Sequence, residues 1–174
     1  KIARNNFPAA IGSIVKNDKE EIISLGAKIF PNSLEVKEIY NNYLSLDKLD
    51  TLKNVDVLSG RGVLYPLRSI KLVNGLRPNI IPHYFADYEL SLRVKKRGYN
   101  LIISTKAAVY SNEDFNLIQK NRKNESIIFK LFARKSSSLF YSKFFFWWEA
   151  NSFIGRISLP LRIIKFIILP GTRK

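Results

Sequence analysis

The sequence predicts an α/β domain followed by a basic, aromatic-rich helical tail, on three observations. Over the first two thirds, short apolar runs and helical stretches follow one another as strand, helix, strand, helix, strand, the order of a sheet flanked by helices. The chain has 174 residues, 46% of them apolar, which is enough for one domain with a sizeable core. Beyond Glu113 the character changes: Phe115 to Lys174 holds 12 Lys or Arg against 2 acids, out of a formal net charge of +15. The expected division is therefore residues 1–114 and 115–174.

Each element has a local reason. Ala9 to Val15 is apolar and β-prone, a buried strand that ends in a turn at Asn17-Asp18. Glu21 to Ile29 reads as a second short strand with Gly26 inside it, broken by Pro31-Asn32-Ser33. Leu34 to Lys53 is polar and irregular, a loop or weak helix with Tyr40 and Tyr43 as packing anchors. Val55 to Ser59 is a strand running into Gly60-Arg61-Gly62, where glycines permit a tight turn. Leu67 to Asn74 is helical and stops at Gly75. Ala86 to Arg97 forms the central helix, with Tyr88/Leu92 and Leu90/Val94 each four residues apart and Gly98 as its stop. Leu101–Ser104 and Ala107–Tyr110 are two more strands.

Composition removes several kinds of chemistry. There is no cysteine, hence no disulfide, thiolate metal site or cysteine nucleophile. One histidine, His83, cannot make a His-rich metal site and argues against a Ser-His-Asp triad. The chain has no methionine and begins at Lys1, so it is expected to be a piece of a longer protein, and its charged opening does not read as a signal peptide. The positive excess points to a polyanionic neighbour: nucleic acid, an anionic membrane face or a phosphorylated substrate.

The segment Phe85-Ala86-Asp87-Tyr88-Glu89-Leu90-Ser91-Leu92-Arg93 carries the chemistry. It sets two carboxylates at the head of a short helix, just after the aromatic loop Pro82-His83-Tyr84-Phe85. Asp87 is open to two readings. An acid at a helix start accepts backbone hydrogen bonds and suits the positive end of the helix dipole. At the edge of a cleft, the same group is a general base. Glu89 is placed to pair with Arg93, four residues on, or to orient its neighbours.

With these residues in view, the stretch from Pro8 to Tyr110 resembles the family 2 glycosyltransferases, inverting enzymes of the GT-A fold. Three pieces carry the likeness in order: Val55 to Pro66, Pro82 to Tyr99 with its Leu-Ser-Leu-Arg and Gly-Tyr, and Leu101 to Tyr110. The resemblance implies a partial GT-A, Rossmann-like mixed sheet with flanking helices and the acceptor side of a sugar-transfer site. It implies Asp87 as the base that deprotonates an acceptor hydroxyl, with Gly60, Arg61, His83 and Glu89 on the substrate side. The family's usual Glu before this Asp is Ala86 here, and Ser111-Asn112 stands where many relatives place a metal-binding His. The donor half, with its Asp-any-Asp motif for a divalent metal (Mg or Mn) and the nucleotide-sugar, should precede Ile11, so the chain alone is expected to be inactive and to bind no metal.

The tail, from 115 to 174, has three readings. It packs as a solvated face, meets an anionic bilayer, or binds nucleic acid, for which no recognition motif is present. Leu117 to Ser138 is a basic amphipathic helix candidate. Ile157 to Leu169 is too short to span, since about 20 apolar residues are needed, and it is interrupted by Pro160, Arg162 and Lys165. The interfacial reading assigns Trp147, Trp148, Arg162 and Lys165 to a membrane surface. With the resemblance, it implies a protein peripheral at the cytoplasmic face, acting on envelope glycan or a lipid-linked acceptor.

Overall fold

A computed structural model describes residues 8–39, 50–52, 55–82, 85–111 and 140–168. The fold is mixed α/β, with parallel and antiparallel strand pairs and five helices among the described residues. The chain divides into two compact units. One comprises Lys1–Ile29, Val36–Leu76 and Asp87–Glu113; the other comprises Phe30–Glu35, Arg77–Ala86 and Asp114–Lys174.

The first unit is built on a parallel pair, β1 (Ala9–Lys16) and β7 (Asn100–Tyr110). Residues 101–104 of β7 are buried where they pair with β1, as in a strand covered on both faces, whereas Lys106, Ala107, Ala108 and Tyr110 beyond them are exposed. On the far edge of β7 lies β5 (Thr51–Leu52), antiparallel. The other edge of β1 is shared by β2 (Ile22–Ser24), paired near Val15 and Lys16, and β6 (Val63–Leu64), paired at Ile11 and Gly12. β3 (Ala27–Phe30) and β4 (Glu35–Glu38) make a separate two-stranded sheet. The core gathers Ala10, Ile14, Leu25, Leu58, Leu90, Val94, Leu101 and Ile103, each aliphatic side chain beyond alanine contributing about 1.5–3 kcal/mol by burial.

Two helices complete this unit. α1 (Leu67–Leu72) ends with Gly75 N donating to Ile70 O and Asn74 N to Lys71 O. Asn74 holds the left-handed position at φ +56°, and Gly75 follows it at +62°. The expected stop is therefore one residue early, on an asparagine that tolerates this conformation. α2 (Ala86–Lys96) closes in the same pattern, with Gly98 N to Lys95 O, Tyr99 N to Val94 O, and Gly98 at φ +86°. Tyr99 and Val94 also meet in the core, the apolar contact that accompanies this cap.

Three expectations are corrected. Glu21–Ile29 is two strands, because Leu25 and Gly26 (φ +78°) turn the chain between β2 and β3. Val55–Ser59 is no regular strand: it bends at Asp56 and makes one ladder pair, Val57 with Ala27. Leu101–Tyr110 is one strand, whose register against β1 jumps from Ser13↔Ser104 to Ile14↔Ala108. Thr105, Lys106 and Ala107 are the surplus, and the Thr105 amide donates to Asp50 O at 3.2 Å. The expected loop anchors Tyr40 and Tyr43 and the helix over Leu117–Ser138 lie outside the described residues.

The second unit contains α3 (Phe140–Ala150), α4 (Phe153–Ile157) and α5 (Leu159–Ile168). Phe146, Trp147, Leu159 and Ile163 are buried. The Phe85 ring stacks on Phe146 at 4.8 Å, and Arg77 pairs with Glu149 at 3.5 Å. Among the described residues, no helix is long and apolar enough to cross a membrane.

Candidate functional site

The site forms where the extended segment 58–60 runs beside the first turns of α2. Two side chains one helical turn apart, Asp87 and Ser91, accept the backbone N–H groups of residues two apart on that segment. Ser91 Oγ takes the Leu58 amide at 3.1 Å and donates to Tyr88 O at 3.0 Å. Asp87 Oδ2 takes the Gly60 amide at 2.6 Å. The helix thus replaces the ladder that this segment lacks, and the match of helix and strand repeats keeps both rungs in step.

Asp87 is half-buried, and its two oxygens have separate partners. Oδ1 accepts the Tyr88 amide at 2.9 Å, a contact of the helix-start kind, while Oδ2 reaches across 27 residues of sequence to Gly60. An ionised carboxylate has about four lone-pair sites, so both anchors leave capacity to accept a proton. Gly60 is needed for this approach. A Cβ there would lie 3.1 Å from Asp87 Cβ and 3.3 Å from Oδ2. Two residues earlier, Phe85 holds φ at +69°, a strained value for a ring-bearing residue, at the entrance to the helix.

Around this contact stands a second carboxyl that the sequence reading passed over. Glu38, at the end of β4, accepts from Ser24 Oγ at 2.5 Å through Oε2 and from the Tyr88 hydroxyl through Oε1. Burial, chiefly, and the negative field of Asp87 hold the Glu38 proton above its ordinary range, against the opposing effects of these two hydrogen bonds and of Arg61. Arg61 therefore lies within electrostatic reach of Glu38. Tyr65 belongs to the same group. Burial, and then Asp87, push its phenol well up, so it remains a donor throughout the neutral range.

Glu89 does something else. It is 2% exposed, and Arg93 takes both oxygens, Nε to Oε1 at 2.6 Å and Nη2 to Oε2 at 2.8 Å. The same guanidinium donates to the carbonyls of Val73 and Gly75, fastening α2 to the end of α1. The expectation of Glu89 on the substrate side is corrected to the pairing alternative, because the carboxylate is sealed from solvent. His83 lies outside the described residues.

The tail residues belong to the second unit. Trp147 is 3% exposed, which removes it from any surface role, while Trp148 is 38% exposed. Phe146 meets the Trp147 ring edge-on at 4.9 Å, so an aromatic run that reads as one surface is split by helix geometry into buried and open members. Arg162 donates to the carbonyls of Pro31 and Asn32 and so ties α5 to that turn. Lys165 lies in α5, and its side chain is outside the described residues.

No three His, Asp or Glu side chains converge as a metal site among the described residues. What the group can do is bind and relieve a hydroxyl of its proton at Asp87, with Arg61 supplying positive charge alongside. A comparison of the chain with family models, curated proteins and solved structures finds no match, so the likeness to sugar transferases rests on the residues themselves.

Proposed function

We propose that the chain is the acceptor-side portion of an inverting glycosyltransferase of the family 2 type, with Asp87 as general base. The observation that supports this most is the bond from the Gly60 amide to Asp87 Oδ2 at 2.6 Å. Two of the three sequence pieces that resemble the family meet there, on a half-exposed carboxylate. The acceptor hydroxyl gives its proton to Asp87 as its oxygen bonds the anomeric carbon. The bond from that carbon to the nucleotide diphosphate breaks, and the diphosphate leaves with the electron pair. One displacement inverts the centre. Arg61 offsets charge beside the acceptor, and Gly60 lets Asp87 approach the main chain on the substrate side. The setting that fits is the cytoplasmic face of a membrane, with envelope glycan or a lipid-linked acceptor.

The test uses the native polypeptide, with whatever precedes Lys1, and a panel of nucleotide-sugars. Asp87→Asn keeps the shape and the Gly60 contact, and is expected to lower transfer at least about 10²-fold, the lower limit for removing a positioned base. Unchanged turnover removes the assignment. A second reading, a non-catalytic module for anionic surfaces, is favoured by a segment from Asn151 to Lys174 that has five Lys or Arg and no acid. Absence of transfer with every donor, alongside retained surface binding, would select it.

A further inference from the structure

The second unit leaves an apolar ridge open to solvent. Phe153, Ile154, Ile157 and Leu161 are between 73% and 79% exposed, and three of them recur every four residues from α4 into α5. Burial of Leu159 and Ile163 already uses one side of α5. A helix pair that is apolar on both its buried and its open side requires a second apolar environment for the open one.

Charge decides which environment. The segment from Asn151 to Lys174 carries Arg156, Arg162, Lys165, Arg173 and Lys174 and no Asp or Glu. A second copy of this chain would bring like charges face to face. A bilayer with anionic headgroups offers hydrocarbon to the ridge and negative charge to its surroundings. Arg156 and Trp148 form a pair of the kind found at the boundary: the Arg156 guanidinium lies 5.2 Å from the centre of the Trp148 ring, and its Nε donates to Trp148 O at 2.9 Å. α5, with 10 residues, is about 15 Å long, half the hydrocarbon thickness of about 30 Å, so it lies along the surface.

We propose that Phe153, Ile154, Ile157 and Leu161 insert into the headgroup layer of an anionic bilayer and dock the protein there. This goes beyond the sugar-transfer reading and does not depend on the chemistry at Asp87, so its test needs no turnover. It also replaces buried Trp147 and tethered Arg162 as the contacting residues.

The whole chain is sedimented with vesicles of phosphatidylglycerol mixed with phosphatidylcholine, and with pure phosphatidylcholine, at low and high salt. The expected result is binding to the mixed vesicles that weakens with salt, and a drop of roughly 30-fold for Phe153→Ser/Ile154→Ser. Circular dichroism checks that this variant folds. Should it not, Phe153→Trp, which keeps the ridge apolar, is expected to bind and to add a blue-shifted emission on vesicles. No sedimentation of the parent at low salt overturns the proposal, as does undiminished binding by the folded double serine variant or unshifted Phe153→Trp emission. A parent dimer that the serine substitutions dissolve would assign the ridge to a second copy instead, and also overturns it.

Discussion

Arg93→Met removes the guanidinium shared by Glu89 and the end of α1, and the size of the loss follows from what stays behind. Methionine fills much of the same volume with no donor. Glu89, 2% exposed, loses the bonds of 2.6 and 2.8 Å to its two oxygens. Deleting one partner of a buried ion pair costs about 3–5 kcal/mol, because the remaining charge is uncompensated. The carbonyls of Val73 and Gly75 lose their side-chain donor as well, which places the change near the top of that range. A loss of about 4–5 kcal/mol is a large part of a domain's typical 5–15 kcal/mol, and lowers Tm by roughly 10–15 °C. Urea unfolding followed by far-UV circular dichroism measures it for the parent, Arg93→Met, Glu89→Leu and the double variant. The double removes both charges together, so it should be about 2 kcal/mol more stable than the sum of the single losses implies. A loss below about 1 kcal/mol for Arg93→Met, or strict additivity in the double, would refute the reasoning.

Two other outcomes test the site. At Gly60→Ala the new Cβ, 3.1 Å from Asp87 Cβ, pushes the carboxylate aside by less than about 1 Å; sugar transfer by the native polypeptide should fall, by less than the roughly 10²-fold of a misplacement of about 1 Å, while urea unfolding shows a loss of only about 1–2 kcal/mol. Glu38 has a native pKa raised above its ordinary 4.5, so its stabilising effect is full below that value and fades as pH rises through the native one. Glu38→Gln should abolish this share of the pH dependence, and urea midpoints taken from about pH 4 to pH 8 should then run flatter than the parent's.

The parts of the fold that could be read in advance are those where local rules act alone. α2 was legible because its apolar spacing, acidic first turn, basic last turn and terminal Gly98 all agree. β1 was legible as an unbroken apolar run. The segment 55–59 has the composition of a strand, but beyond its backbone bonds with Ala27 the Leu58 amide goes to Ser91 and the Gly60 amide just after it to Asp87, partners 33 and 27 residues away along the chain, which no local pattern encodes. Glu38 was missed because Glu-Val-Lys-Glu is a polar edge strand with no apolar alternation, and only the fold brings it under Tyr88. Asp87 stands out because an acid at a helix head is conspicuous in sequence, whereas Arg93, the buried partner of Glu89, is also held by the Val73 and Gly75 carbonyls just past α1, contacts that its own neighbourhood does not encode.

The excess of three residues in β7 has a consequence for how the end of that strand is understood. An odd surplus reverses the up-and-down phase of every position after it. Ala108, Val109 and Tyr110 therefore present sides opposite to those that simple counting from Leu101 would give, and Tyr110 reaches Glu20 at 2.7 Å from that inverted phase. Shortening the surplus by two would keep the phase; shortening it by one or by three would turn the strand's tip over, so length here behaves as a parity rule.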